Sequence, residues 1–588
     1  MPSTRSLTFV FVAISAVFAQ QQTEYDYIVC GGGTAGLAIA NRLSAAQNTV
    51  LVVEAGINGT TQTWPYRSTP QEDVNGRILD LPAGKAVGGT TQINGMVYSR
   101  PDSESIDDWG DVNNADWSWD TLLPFYKSSE ALRFPAKDLA RAGYTPDPEY
   151  HGTNGPLNIS YPAEGTPAYF DILKKSAAVY NIGAKKDFNG GKAEGLSTYP
   201  AAFTIANRRE QTRESAREAY YLPIVGRAEL ELIDESECLR VIFDDPADLH
   251  APYNATGVEI TNANATTTIK ARKEVILSAG VYRSPGILEY SGIGNKDILA
   301  KYNIESKIDL PGVGENLQDQ MQGNIFYLRV NNTNITFPDP SQGITTNYLI
   351  HATYEQIFGA DAADYQNRTS RSLNESASLI SQRINGALSP EQIMNSLQVQ
   401  YDIVFDTQVP AVEIFSGQSL NTTHLNLEFW PLIPFSRGNV HISGGNADRA
   451  SDEPTINVNW GLLDSDWEMF IASARFVRNL FKTPALAAEV TTETQPTFDT
   501  VPMDASDAEW KTYWQDNFRA GWHGVGTSAM LPREWGGVVD GDLKVYDTTN
   551  VRVVDASVIP FLMGGHPTST VYALAERAAS LIIDGKKG

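Results

Sequence analysis

Between Asp26 and Glu54 the chain runs apolar strand, glycine turn, helix, apolar strand and acid, an order that few folds accommodate. Asp26-Tyr-Ile-Val-Cys-Gly-Gly-Gly-Thr-Ala-Gly36 reads as a short strand that breaks into Gly31-x-Gly33-x-x-Gly36. A helix is predicted from Leu37 to Ala45, and Thr49–Val53 reads as a second strand ending on Glu54, eighteen residues beyond the last glycine. In that context the glycines form a dinucleotide-binding fingerprint rather than a chance triplet. They let the backbone approach a pyrophosphate at the positive end of the helix, and Glu54 is placed to accept hydrogen bonds from a ribose.

The chain ahead of this motif reads as a secretory signal. Arg5 supplies a positive start, Leu7 to Phe18 an apolar stretch, and Ala16-Val17-Phe18-Ala19 the small residues of a cleavage site after Ala19. The apolar run is too short to span a bilayer comfortably. Nine Asn-x-Ser/Thr sequons support secretion, at Asn58, Asn158, Asn254, Asn264, Asn331, Asn334, Asn367, Asn374 and Asn421. A net charge of −25 disfavours nucleic acid and anionic membranes as partners. Outside the cell a dissociable nicotinamide would be lost by dilution, so the fingerprint points to tightly held FAD. Of the only two cysteines, Cys30 and Cys238, the first lies on the opening strand and is expected to be a small buried hydrophobe rather than half of a bridge. No Cys/His metal spacing is present, and no metal is expected.

The length requires at least two lobes. Strand-like segments matching the opening motif recur at Lys273–Ser278 and Val551–Asp555, which implies an α/β, Rossmann-like domain interrupted by inserted material. The division expected is a signal at 1–19, a discontinuous cofactor domain at 20–154, 201–325 and 520–588, and a substrate domain at 155–200 and 326–519. Within the latter, Leu425–Trp430 and Asn439–Ile442 read as strands and Asp466–Phe481 as a helix, suggesting an antiparallel sheet flanked by helices.

Further along, four blocks resemble the glucose–methanol–choline (GMC) flavin oxidoreductases. Gly84-Lys-Ala-Val-Gly-Gly-Thr-Thr-Gln-Ile-Asn-Gly-Met-Val-Tyr-Ser-Arg100 is similar to the family's first signature. Gly280-Val-Tyr-Arg-Ser-Pro-Gly-Ile-Leu-Glu-Tyr-Ser-Gly-Ile-Gly294 is similar to the second, departing at Val281, where a smaller residue is usual. Gly312–Asp319 follows the family pattern, and the run from Trp522-His-Gly-Val-Gly-Thr through Asp555–Pro560 to His566-Pro-Thr-Ser-Thr570 most resembles fungal glucose oxidases and FAD-dependent glucose dehydrogenases. The resemblance implies that Gly31, Gly33, Thr34, Ala35 and Gly36 take the FAD diphosphate and Glu54 its ribose. Val241, after a helix carrying Arg213–Arg217, would approach the adenine. Gly89, Asn94, Gly95 and Val97 would line the isoalloxazine, with Asp555, Ala556, His566 and Thr568 closing over it. With no histidine between Met1 and Tyr150, the attachment should be non-covalent.

Oxidising an alcohol removes a proton from oxygen and a hydride from carbon, so a base must stand beside the flavin, and histidine has the suitable ordinary pKa. Of seven histidines, His441 reads as structural, and His151, His250, His351 and His424 lie in polar, surface-like contexts. His523 and His566 each sit in a glycine-rich stretch, and the resemblance makes His523 the base and His566 its partner. It further implies substrate contacts at Tyr66, Glu428, Trp430 and Arg519. One departure stands beside the base: Gly521 occupies the place of a family asparagine that bonds glucose, and is expected to open space. The function implied is a secreted FAD-dependent dehydrogenase oxidising the anomeric hydroxyl of glucose or a glucose-containing oligosaccharide to the lactone. Electrons would pass to a quinone-type acceptor, and the protein would be a monomer or homodimer. An oxygen-using sugar or aryl-alcohol oxidase, and a non-catalytic flavoprotein or sugar-binding protein, are the competing readings.

Overall fold

The computed structural model describes residues 23–585, apart from 114–115, 163–164, 207–209, 247, 249–250, 263–264, 331–334, 336–347, 417–422 and 446–452. The signal segment, His250 and four of the sequon asparagines (Asn264, Asn331, Asn334 and Asn421) therefore lie outside the described residues. The other five sequon asparagines, Asn58, Asn158, Asn254, Asn367 and Asn374, are exposed.

The opening motif folds as strand Glu24–Cys30, helix Thr34–Ala45 and strand Val50–Val53. Both strands run parallel and are apolar on successive residues because both faces are covered. Gly36 has no room for a side chain: a Cβ there would stand 1.9 Å from the Gly31 carbonyl oxygen. The third glycine of the fingerprint thus lets the helix lie on its own strand. The sheet continues in the order Leu230–Ile233, Val50–Val53, Glu24–Cys30, Ala265–Leu277, Ala255–Asn262, Ser236–Phe243. Val551–Val553 joins the end of Ala265–Leu277 in parallel. The final helix, Thr568–Asp584, packs on helix Thr34–Ala45, where Glu576 accepts two 2.7 Å hydrogen bonds from Arg42.

A second, wholly antiparallel sheet carries its own core. Its strands lie in the order Val490–Gln495, Met321–Arg329, His424–Pro431, Val412–Ser416, Tyr348–Ala352, Gly195–Thr198, and Arg519–Ala520 extends the edge of Met321–Arg329. Register places His351, Glu413 and Trp430 in one row across three strands, and Phe415, Glu428 and Asn324 in the next. Side chains two apart share a face, so the two rows present one polar and aromatic surface. Helix Asp464–Phe481 packs on this sheet.

Three expectations are corrected. Cys30 and Cys238 form a disulfide across 208 residues, because the strand Ser236–Phe243 is brought beside the end of the opening strand. His151 and His351 are buried rather than superficial. His151 lies between Glu130 and Asp187, at 2.7 and 3.0 Å, which supply inside the protein the polar surroundings its sequence context suggested. The segment before Arg217 is a strand, Glu210–Arg213, followed by a single π turn at Arg217–Tyr221. Among the described residues no helix is long and apolar enough to cross a membrane.

Candidate active site

A cavity of about 440 Å³ runs between the two sheets, from the glycine fingerprint to the paired histidines. At one end Gly31, Gly33, Thr34 and Ala35 line it, and helix Thr34–Ala45 starts there with no side-chain cap on Gly33. The unsatisfied amides of that helix end are suited to an anion. Gly89 faces Gly33 so closely that a Cβ on it would lie 2.7 Å from the Gly33 Cα, leaving bare backbone on both sides of the cleft. Glu54 lines the same end and accepts from the Gly32 and Gly56 amides at 2.8 Å each, while burial pushes its carboxyl up to about 7. Cys30, Glu237 and Cys238 form the neighbouring wall.

Further in, Asn94, Gly95, Val97, Asp555, Ala556 and Thr568 line the cavity, and the Asn94 amide donates to the Thr568 hydroxyl at 3.4 Å. Arg213 fixes Asn94, donating to its side-chain oxygen and its carbonyl at 2.8 Å each. Asp555 accepts from the Gly280 amide at 2.9 Å and the Ser284 hydroxyl at 2.6 Å, which ties the two chain ends of the site together. Two residues expected here do not line the cavity. Gly36 serves helix packing instead, and the Val241 amide donates to Ser291 Oγ at 2.8 Å.

His523 hangs from a loop gripped by Asp319, which accepts from the His523 amide at 2.8 Å and the Trp522 amide at 3.3 Å. Burial pushes the Asp319 carboxyl up to about 7. Gln320 determines the imidazole's tautomer. Its Nε2 donates to the Leu432 carbonyl at 2.9 Å, so its Oε1, 2.7 Å from His523 Nδ1, must accept a hydrogen bond from the ring N–H. His523 Nε2 is left with its lone pair. Burial above all pushes this imidazole down to about 3, so it is neutral at ordinary pH. Trp522 adopts φ +60°, unusual for a bulky residue, and its indole donates to the Asp80 carbonyl at 3.0 Å while standing exposed at the cavity mouth.

The His566 and His523 rings meet edge to face at 4.7 Å. His566 Nε2 lies 3.0 Å from Glu413 Oε1, and Trp430 stands edge-on to both histidines. The buried Trp430 Nε1 and Tyr66 hydroxyl have no protein partner. Tyr66 lines the cavity from a buried position, stacked on Trp64 at 5.6 Å. On the same sheet face as Trp430, Glu428 accepts from Gln322 at 2.9 Å and Asn324 at 3.2 Å, with Arg519 Nη2 3.6 Å away. Gly521 lines the cavity, but its own Cβ position is crowded. A Cβ there would stand 3.1 Å from the Gln320 carbonyl and 3.2 Å from Asp319 Oδ1, so the grip on the histidine loop occupies the volume.

Sequence reasoning missed Glu413, His351, Gln320, Gln322, Trp64 and Trp522. Gln320 and Gln322 directly follow the Gly312–Asp319 block, and Trp522 adjoins His523, so adjacency offered a signal there. Glu413 and His351 offered none.

A mixed sheet, parallel around its glycine cradle, joined to an antiparallel sheet over a histidine pair, defines a dinucleotide-dependent oxidoreductase. The chain belongs to the GMC oxidoreductases: the amino-terminal model of that family matches residues 25–322 and the carboxy-terminal model residues 434–575. It is 33% identical over 583 residues to a glucose oxidase-like protein of Humicola fuscoatra, covering 95% of each chain. Among solved structures, an FAD-dependent oxidoreductase of Chaetomium thermophilum superposes with a TM-score of 0.84 at 28% identity, over 95% of this chain and 99% of that one. A fungal aryl-alcohol oxidase gives 0.84 at 27% identity, over 96% and 100%. The cofactor is FAD: the bare glycine cleft and uncapped helix end fit its diphosphate, and Glu54 lines the same end of the cavity for a ribose.

Proposed function

We propose that the chain is a secreted FAD-dependent sugar dehydrogenase that oxidises the anomeric hydroxyl of glucose or a glucose-containing oligosaccharide to the lactone. Electrons then pass to a quinone-type acceptor. FAD, when bound, supplies the acceptor for the hydride leaving carbon. The protein's part is the proton. His523 Nε2, with its lone pair directed by Gln320, takes the hydroxyl proton, and His566, whose ring lies 4.7 Å from that of His523, orients the same hydroxyl. Glu428, Gln322 and Arg519 bind the remaining ring hydroxyls, and Trp430 offers both its ring and its unpartnered N–H. Tyr66 offers a second unpartnered hydroxyl.

The observation that carries the sugar reading is the polar wall that continues from Trp430 along the same sheet face: a buried carboxylate, two amides and a guanidinium. A small apolar alcohol would cover those groups while offering their remaining donors and lone pairs no hydrogen bond. A second reading, an oxidase acting on aryl alcohols, draws on the aromatic lining of Trp64, Tyr66, Phe415, Trp430 and Trp522. Anaerobic mixing of the holoenzyme with glucose, a glucose-linked disaccharide or an aryl alcohol distinguishes them by the rate at which flavin colour is lost. Faster bleaching by either sugar supports the proposal, and faster bleaching by the aryl alcohol overturns it. Reoxidation by a quinone compared with dissolved oxygen then tests the acceptor.

A further inference from the structure

Glu413 holds two imidazoles, not one. It is fully buried in strand Val412–Ser416; its Oε1 meets His566 Nε2 at 3.0 Å and its Oε2 meets His351 Nε2 at 2.7 Å. His351 sits directly across from Glu413 in the antiparallel register and across from Gly195 on its other side. Its ring stacks on Phe188 at 4.6 Å, and its Nδ1 lies 3.0 Å from the Ala193 carbonyl oxygen.

The hydrogen-bond inventory fixes the protons. A carbonyl oxygen only accepts, so His351 Nδ1 carries a hydrogen. A carboxylate oxygen also only accepts, so the 2.7 Å contact to Nε2 needs a second hydrogen on the same ring. A ring donating from both nitrogens is an imidazolium. We propose that His351 is a positioning residue, a buried imidazolium that neutralises Glu413 and so keeps the substrate-side His566 uncharged. With the charge of Glu413 balanced from behind, His566 donates one N–H to it and retains a lone pair on its other nitrogen. An uncharged His566 also leaves its neighbour His523 free to take a proton. The inference rests on the proposed roles of His523 and His566.

The surroundings are consistent with a single balanced pair. Burial raises the Glu413 carboxyl, and the hydrogen bonds it accepts from His351 and His566 act against that. The other titratable group beside it, the phenol of Tyr199, is pushed well above its ordinary value, first by burial and then by Glu413, and is neutral. On the third strand of the row Glu413 faces Trp430, which does not titrate. Without His351 the cation left beside Glu413 among the described residues would be a protonated His566, 4.7 Å from His523.

Two experiments test this. In His351→Gln the acid limb of the pH profile for anaerobic flavin reduction should move up by one pH unit or more, with flavin absorbance and FAD retention unchanged. In a Glu413→Gln background the same substitution should move it no further. A His351→Gln protein that only melts earlier, with the wild-type pH profile, overturns the proposal. Neutron diffraction on the deuterated wild-type holoenzyme reads the protons directly and needs neither a folded variant nor a known substrate. Deuterium on both nitrogens of His351 and on Nε2 alone of His566 is the expected result. Deuterium on Glu413, or on only one nitrogen of His351, overturns it. Failure of every alcohol to bleach the flavin would refute the proposed function and leave this map to decide the protonation.

Discussion

Cys30 and Cys238 are joined in the wall of the cofactor cavity, one at the end of the strand that leads into the glycine fingerprint and the other on an edge strand of the same sheet. The bond closes a loop of 208 residues, and for a loop that long the chain-entropy contribution is roughly 5 kcal/mol at most. Replacing both cysteines by alanine is expected to lower the melting temperature. It should also speed FAD release, followed as the rise in free-flavin fluorescence. FAD release at the wild-type rate would show that the bond serves the sheet and not the cofactor.

The tautomer set by Gln320 makes His523 Nε2 the proton acceptor. His523→Asn should slow flavin reduction by about 100- to 10,000-fold while leaving flavin absorbance intact. The imidazole is pushed down to about 3, so the base is neutral above that pH and protonated only below it. Stopped-flow reduction by sugar should therefore show no acid limb from this residue between about pH 5 and 8.

Gly521→Asn tests the pocket beside the base. An added amide that reaches glucose contributes on the order of 1 kcal/mol, a change of about fivefold to tenfold in favour of glucose over a disaccharide. Because Gln320 and Asp319 must yield to the new Cβ, the melting temperature should fall at the same time. Unchanged substrate ranking would remove Gly521 from the account of specificity.

His441 predicts a pH dependence of stability. Its two nitrogens meet Glu289 at 2.7 Å and Glu315 at 3.0 Å. Burial alone would weaken its hold on the proton, but the two carboxylates push it up to about 10. A raised imidazole contributes stability that is complete below its ordinary value near 6.5 and is lost as pH rises through about 10. Thermal melts should decline across that window, and His441→Gln should be less stable at pH 6 while losing less between pH 7 and 10.

How far the sequence foretold this site follows from the range of each interaction. The fingerprint, the strands Glu24–Cys30 and His424–Pro431 and the helix Asp464–Phe481 are periodic over neighbouring residues and were legible. The histidines His523 and His566 stand in glycine-rich stretches that mark close backbone approach. The Cys30–Cys238 bond joins residues 208 apart, and the His351–Glu413 pair depends on strand register, which no local pattern encodes. His351 therefore looked like a surface histidine although its partners are a buried carboxylate and a carbonyl. Gly521 misled for the same reason: the atoms that fill its space belong to Asp319 and Gln320, about two hundred residues earlier in the chain.

The joining of Val551–Val553 to the opening sheet has a consequence for biogenesis. At translation rates of about 5–20 residues per second, the first strand leaves the ribosome roughly half a minute to two minutes before its last neighbour exists. Throughout that interval Asp555, Ala556 and Thr568 are missing from the cavity wall, so loading of the flavin is a post-translational event. A nonsense mutation that spares all but the last forty residues should yield a polypeptide that retains its opening fingerprint and yet emerges colourless.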